Sequence, residues 1–335
     1  MSGLLTSWDG GWYRFIADSG YPASGHGDLH RFAFFPGYPS LIRAFDWVLP
    51  GGSAVAALVA SLLTGALATV AVWLLARDRF DVGVANTAAW LFVFFPTSAV
   101  LSMAYSEGLL IAASALALWA IERRWWLWAG LASSVAGFTR LNGAVVVGIC
   151  VVAAAIELTR RWSWRPVVAM VVAPAGFVGF VIMVHGRTGD WLAFAHAQSL
   201  WGQSFDGFGT LFRSIRDLMT TSAAWRSAVP VMAAAAVVYL LVGLVMMWRQ
   251  RPLPWHWWVF TLCTGVLALT PSMPISSLRY SFAAFPVLIA VAPELRTRNR
   301  LTVVVAVSAV LLGALTTGWF IGSVQAGSGM AAYQP

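Results

Sequence analysis

Apolar stretches close to 20 residues long, nearly free of charge and closed off by arginines, follow one another from residue 53 to residue 321. About 20 apolar residues are what a helix needs to cross the roughly 30 Å hydrocarbon core of a bilayer. The pattern therefore predicts an all-α polytopic membrane protein with about ten transmembrane helices. The runs are 53–76, 84–103 (interrupted near Pro96), 107–121, 125–156, 166–184, 228–248, 255–269, 280–293 and 301–321. The stretch 125–156 is broken by Thr139-Arg140-Leu141-Asn142 and reads as two short helices meeting at a polar vertex. Composition agrees: 59% of the residues are hydrophobic and 10% charged, with a mean hydropathy of +0.76. A soluble domain carries about 25% charge. So much apolar surface excludes a disordered chain and an ordinary cytosolic enzyme.

All 21 basic side chains are arginines, and the net charge is +8. They punctuate the apolar runs and form no dense basic stripe, so they read as topology anchors and not as a nucleic-acid surface. Arg77/Arg79, Arg123/Arg124, Arg160/Arg161/Arg165, Arg249/Arg251 and Arg296/Arg298/Arg300 fall in short connections at alternate ends of the runs. The positive-inside rule makes these connections cytoplasmic. The first 50 residues, the region 96–106, the Arg140 vertex, 185–227 and 271–279 then face outward. The 19 tryptophans flank the runs as interfacial rings do. Cys150 and Cys263 lie inside apolar runs and suggest neither a disulfide framework nor a zinc site. With ten spans the first 50 residues would cross with no span before them. Residues 1–7 have no basic region and no apolar core, so they are not a signal peptide. The expectation is that a first native helix is missing from the chain.

The outward segments hold the chemistry. Ser7-Trp8-Asp9-Gly10-Gly11-Trp12-Tyr13 sets one acid between aromatic rings and a diglycine. Aromatic faces carry sugar rings or headgroups, and a carboxylate serves as base or orienting acceptor. An interfacial amphipathic helix with an incidental aspartate explains the same residues. His26, Asp28 and His30 have a spacing compatible with a metal in extended chain, or with a solvated loop bordering an acceptor. Pro36 and Pro39 limit helix formation and suggest a rigid shoulder. Glu107, after Tyr105-Ser106, opens an otherwise charge-free helix, where the helix dipole favours an acid. Arg140 and Arg279 stand at outer helix ends, as anion ligands or as snorkelling side chains. Asp190, Asp206, Asp217, His185 and His196 form no spaced motif, and the region 211–219 reads as a helix on the membrane surface. Phosphate-loop and dinucleotide fingerprints are absent.

In order and spacing these residues resemble the PIG-V-type mannosyltransferases, membrane glycosyltransferases of the GT-C architecture. The matching pieces are Trp8-Asp9, Trp12-Tyr13, Ile16-Ala17 and Gly20-Tyr21, then Ala33-Phe34-Phe35-Pro36, Tyr38-Pro39 and Leu41-Ile42-Arg43. Pro96, Ser98, Tyr105-Ser106-Glu107, Ala129-Gly130, Thr139-Arg140, Asn142-Gly143, Arg279-Tyr280 and Phe285-Pro286 follow. The likeness is dense over residues 8–143 and thin afterwards. The family normally has a transmembrane helix before the Trp-Asp motif, and the expectation here is that such a helix belongs upstream of residue 1.

The resemblance implies a GT-C-like fold and an enzyme acting on the extracytoplasmic side of a membrane, the bacterial plasma membrane in the simplest case. It implies a polyprenyl-phosphate sugar donor, with mannose as the sugar and a lipid or glycan as acceptor. An acid in the first outer loop is usually taken as catalytic in such enzymes, which points to Asp9, with Glu107 as the second candidate. A lipid-phosphate leaving group needs cationic or hydrogen-bonding stabilisation more than protonation. Arg140 and Arg279 fit that task, with Trp8, Trp12, Tyr13, Tyr105 and Asn142 completing the donor site. His26, Asp28 and His30 are the candidate acceptor region. A single in-line displacement inverts the anomeric carbon, and the scheme requires no metal and no cofactor. The chain reads as one domain over 1–335, with 1–50 and 185–227 as its extracytoplasmic segments. Membrane lipids and a membrane protein are expected partners, and nucleic acid is not. A transporter or flippase, and a non-catalytic subunit of a transferase, remain the rival readings.

Overall fold

Small residues decide how these helices meet. In lipid the solvent is as apolar as the core, so helices associate by close contact and not by hydrophobic exclusion. The helix Gly52–Arg79 buries Ala56, Ala60, Ala68, Ala71 and Val72 and turns Leu62, Leu63, Leu67 and Val70 outward. It crosses Glu107–Glu122 at glycines: a Cβ on Gly108 would lie 3.0 Å from the Gly65 nitrogen, and one on Gly65 would lie 3.1 Å from the Leu101 carbonyl oxygen. The Glu107–Glu122 helix is accordingly buried along most of its length and forms the axis of the molecule.

The computed structural model describes residues 5–23, 29–201, 204–272 and 276–327. Among these the protein is all-α, with one isolated β-bridge between Phe205 and Pro271. Five stretches are long and apolar enough to cross a membrane: Gly52–Arg79, Gly143–Arg160, Trp164–Thr188, Ala228–Arg249 and Arg298–Gly318. Trp164–Thr188 consists of Trp164–Val172 and Ala175–Thr188, joined at Pro174. The polytopic helical class stands, but the expected ten spans are corrected to five candidates among the described residues. The other runs are cut short by their own breakers. Val82–Val93 stops before Pro96, Glu107–Glu122 has 16 residues and Trp126–Thr139 has 14. At 1.5 Å per residue the last two reach only about 21–24 Å. The run 280–293 is divided into Ser277–Ser281, Pro286–Val291 and a 3₁₀ turn at Ala292–Leu295, and its residues Phe282, Phe285, Val287 and Ile289 are buried in protein.

The N-terminal segment forms the helix Asp9–Ser19, a 3₁₀ turn at Leu29–Ala33 and the helix Gly37–Asp46. The rigid shoulder expected from Pro36 and Pro39 is thus corrected to a helix start. Pro36 is its N-cap and Pro39 lies in its first turn, where the missing N–H removes no intrahelical bond. Within 185–227 the helices Ala193–Leu200 and Gly209–Thr220 form. The second buries Leu211, Ser214 and Leu218 on one face and exposes Phe212 and Met219 on the other.

The vertex at 140–142 is as the sequence suggests: Trp126–Thr139 ends, Arg140 is extended, and Gly143–Arg160 begins. A Cβ on Gly143 would collide with the Ala136 carbonyl, and one on Gly37 would lie 2.8 Å from both the Phe138 carbonyl and Thr139 Oγ1. Backbone contact on both sides holds the vertex in place. Gly143→Ala is expected to lower stability by about 1–3 kcal/mol, the cost of overpacking, and to disturb the placement of Arg140. Thermal unfolding of the purified variant checks this; an unchanged midpoint would show that the vertex is compliant.

Candidate active site

Three helix ends and the short helix Ser277–Ser281 converge on one charged cluster. Asp9 is the first residue of Asp9–Ser19 and Glu107 the first of Glu107–Glu122, positions where the exposed N–H groups and the dipole favour an acid. Arg140 follows the last turn of Trp126–Thr139, and Arg279 sits in Ser277–Ser281.

Arg140 Nη1 donates to Glu107 Oε1 at 2.9 Å and to Ser106 Oγ at 3.2 Å. Arg279 Nε lies 3.4 Å from the same Glu107 oxygen, and its Nη2 donates to Asp9 Oδ2 at 3.0 Å. One continuous chain of contacts therefore runs Asp9–Arg279–Glu107–Arg140. The Tyr13 hydroxyl shares a 2.7 Å hydrogen bond with Ser106 Oγ. Arg279 also donates to the Tyr280 hydroxyl at 3.2 Å and lies over the Tyr105 and Tyr280 rings, each centroid 4.9 Å away. Arg140 faces the other side of the cluster, 5.1 Å from the Tyr280 ring.

The two acids differ in access. The Glu107 side chain is 3% exposed and that of Asp9 33%. Glu107 therefore acts as the buried counter-charge shared by two guanidiniums, while Asp9 opens to the outside. Burial is the largest single influence on Arg140 and on Arg279 and works against their charge, but Glu107 together with the other acidic groups around them (Tyr13 and Tyr280 at Arg140; Tyr280, Asp9 and Tyr105 at Arg279) outweighs it, and both remain protonated. Burial raises the Tyr13 hydroxyl above its ordinary range, which keeps it a donor. Among the described residues, Glu107 Oε2 and the Tyr105 hydroxyl have no hydrogen-bond partner.

The other expected site residues lie around this cluster to different degrees. Trp12, one turn beyond Asp9, is buried in an aromatic wall. It stacks on Phe34 and His30 at 6.1 Å each and meets Trp201 edge-on at 5.2 Å. His30 thus belongs to a ring cluster; His26 and Asp28 lie outside the described residues. Among the described residues no group of three His, Cys, Asp or Glu side chains is placed to hold a metal. Trp8 is exposed beside Asp9. Asn142 caps the vertex without a side-chain capping bond. Asp190 pairs with His196 at 2.7 Å, away from the cluster.

Trp201 is the residue the sequence did not mark. Its ring meets Trp12, and Gln198 donates to the Ala33 carbonyl at 2.8 Å, so the segment 193–201 packs against the N-terminal segment. The separation of more than 160 residues leaves no local signal of that contact.

ArnT from Cupriavidus metallidurans bound to undecaprenyl phosphate is similar in fold, with a TM-score of 0.57 over 94% of this chain and 59% of that one, at 16% identity. The apo structure of the same protein gives 0.56 over 85% and 54%, at 17% identity. The likeness shows a GT-C-like polytopic fold. The chain is 34% identical over 166 residues to GPI alpha-1,6-mannosyltransferase 2 of Rattus norvegicus, and 33% to that of Mus musculus. Each alignment takes in 44% of this chain and 31% of the relative, so the match spans less than a third of those proteins. Residues 1–186 match the family described as Mannosyltransferase (PIG-V), a stretch that contains Asp9, Glu107 and Arg140 and stops short of Arg279. With more than half of its length matched and the expected order of motifs in place, the chain belongs to the PIG-V mannosyltransferase family.

Proposed function

We propose that this protein is a polyprenyl-phosphate-sugar-dependent glycosyltransferase. It moves a mannosyl residue onto a lipid or glycan acceptor at the outer face of a membrane, with inversion. The observation that carries this reading is the pairing of one accessible acid, Asp9, with two arginines anchored on a buried acid, Glu107. Family membership and a fold shared with a protein bound to undecaprenyl phosphate support it.

In this reading Arg279 and Arg140 bind the donor phosphate and take up the charge that develops on it as the glycosidic bond breaks. Glu107 fixes both guanidiniums so that little reorganisation is needed during reaction. Asp9 accepts the proton of the acceptor hydroxyl, within about 3 Å or through one water. Trp8 and Trp12 border the position of the sugar. Attack from the face opposite the phosphate turns a β-linked mannosyl phosphate into an α-mannoside.

The axial helix supports an outward-facing site in this reading. Glu107 begins it, and Arg123 follows its other end, where Arg123 pairs with Asp78 and Arg124 with Glu157 at 3.5 Å. The site and the arginine-rich turns thus stand at opposite ends of one helix. By the positive-inside rule the site is outward. Single-cysteine labelling in intact cells is expected to mark residue 8 and spare residue 123; outside labelling at 123 would reverse the assignment. The activity itself is tested by incubating membranes containing the protein with labelled polyprenyl-phosphate mannose. Transfer of label to lipid or glycan is the expected result, and its absence from membranes containing folded protein, with donor and endogenous acceptors present, would remove the proposal.

A further inference from the structure

At the arginine-rich end, away from the active site, the helices Ala228–Arg249 and Trp255–Leu269 form a cleft. They touch deep in the molecule, where a Cβ on Gly265 would lie 3.0 Å from Leu240 Cδ1. The space between holds about 380 Å³ and is lined by Leu244, Val245, Trp248, Trp258 and Leu262. From Trp258 to Gly265 is seven residues, or about 10 Å of cleft at the helical rise.

Arg251 stands in the turn that joins the two helices. Its guanidinium carbon lies 3.0 Å from the Trp248 ring centroid and 5.7 Å from that of Trp258, so the two rings that wall the cleft also hold the cation. Arg249 is paired with Glu294 at 3.5 Å. Arg251 is exposed and makes no carboxylate pair among the described residues.

An apolar cleft closed by an unpaired cation at the level of the interfacial tryptophans matches one chemical shape: a phosphate on an acyl chain. We propose that this cleft is a binding site for an anionic phospholipid, with the headgroup phosphate on Arg251 and the upper part of one acyl chain between Val245 and Leu262. Trp248 and Trp258 fix the guanidinium at the depth of the headgroup and wall the first methylenes. The site is independent of sugar transfer, and its failure or success leaves the transferase reading untouched.

The test uses the full chain, delipidated in detergent and titrated with dioleoyl phosphatidylglycerol or dioleoyl phosphatidylcholine, with bound lipid counted by native mass spectrometry. One arginine at a membrane surface discriminates for an anionic lipid by about five-fold, so phosphatidylglycerol is expected to be retained about five-fold more tightly at one site. Arg251→Gln, a change at an exposed turn, is expected to bring it to the phosphatidylcholine level. Leu262→Trp, which fills the cleft, is expected to abolish retention of both lipids. Val245→Phe serves as a second filling variant if the first does not fold. Equal retention of the two lipids by the wild-type protein overturns the proposal. So does a preference that survives Arg251→Gln or either filling variant, since the lipid then sits elsewhere. Inorganic phosphate that displaces phosphatidylglycerol completely would show a bare anion site and overturn the lipid assignment.

Discussion

Asp9→Asn is expected to lower the initial rate of sugar transfer by about 10²–10⁴-fold, the range for loss of a general base, while the protein stays folded. Asparagine keeps the size of the side chain and its ability to accept from Arg279 Nη2, now 3.0 Å from Asp9 Oδ2. It removes the proton-accepting charge. Folding is spared because Asp9 is the accessible acid, and Arg279 retains Glu107 as its buried partner at 3.4 Å. Arg140→Ala is expected to differ, weakening donor binding as well as turnover. Arg140→Lys should restore part of the loss, since an ammonium replaces the charge but not the planar fork that meets Glu107 and Ser106 together. The measurement is transfer rate and donor affinity on purified, equally folded variants. Near-normal turnover by Asp9→Asn would remove Asp9 as the base and leave Glu107 as the acid to test.

Glu107→Ala is expected to destabilise the protein by about 3–5 kcal/mol, the usual cost of removing one partner from a buried ion pair. Two guanidiniums depend on this one carboxylate, at 2.9 Å and 3.4 Å. Arg279 is only 10% exposed and has little access to water in exchange. Glu107→Gln retains an acceptor and should fall between the two. Thermal unfolding in detergent, with and without donor lipid, reads the effect. A midpoint for Glu107→Ala equal to the wild type would show that the arginines are held from elsewhere, and the role of Glu107 as their anchor would be lost.

These two experiments separate the roles that one cluster combines. Asp9→Asn tests chemistry at an accessible acid; Glu107→Ala tests the scaffold that presents the cations. A loss of stability without a change in the rate per folded molecule would assign Glu107 to structure alone. Loss of rate in Asp9→Asn at full stability would assign Asp9 to the reaction.

The helical membrane class and the four residues of the cluster are legible in the amino-acid order. In a chain with 10% charged residues, an acid or arginine placed among apolar runs is costly unless it is paired or reaches water, so residue type alone marks Asp9, Glu107, Arg140 and Arg279. It also determined the vertex at Arg140, because Thr139 through Gly143 interrupt an apolar run with polar and flexible residues. The pairing of these residues comes from the packing of distant segments. Arg279 and Asp9 are 270 residues apart, and no local pattern encodes that contact. Only the structure placed Trp201 against Trp12, through a segment whose own sequence carries no motif. It also reduced ten apolar runs to five stretches able to span. Hydropathy measures how readily a residue leaves water, and lipid and protein interior are equally dry. It therefore cannot tell a helix facing lipid, such as Arg298–Gly318, from one enclosed by other helices, such as Glu107–Glu122. That distinction rests on close backbone approach at Gly65 and Gly108, which side-chain shape permits and hydropathy does not register.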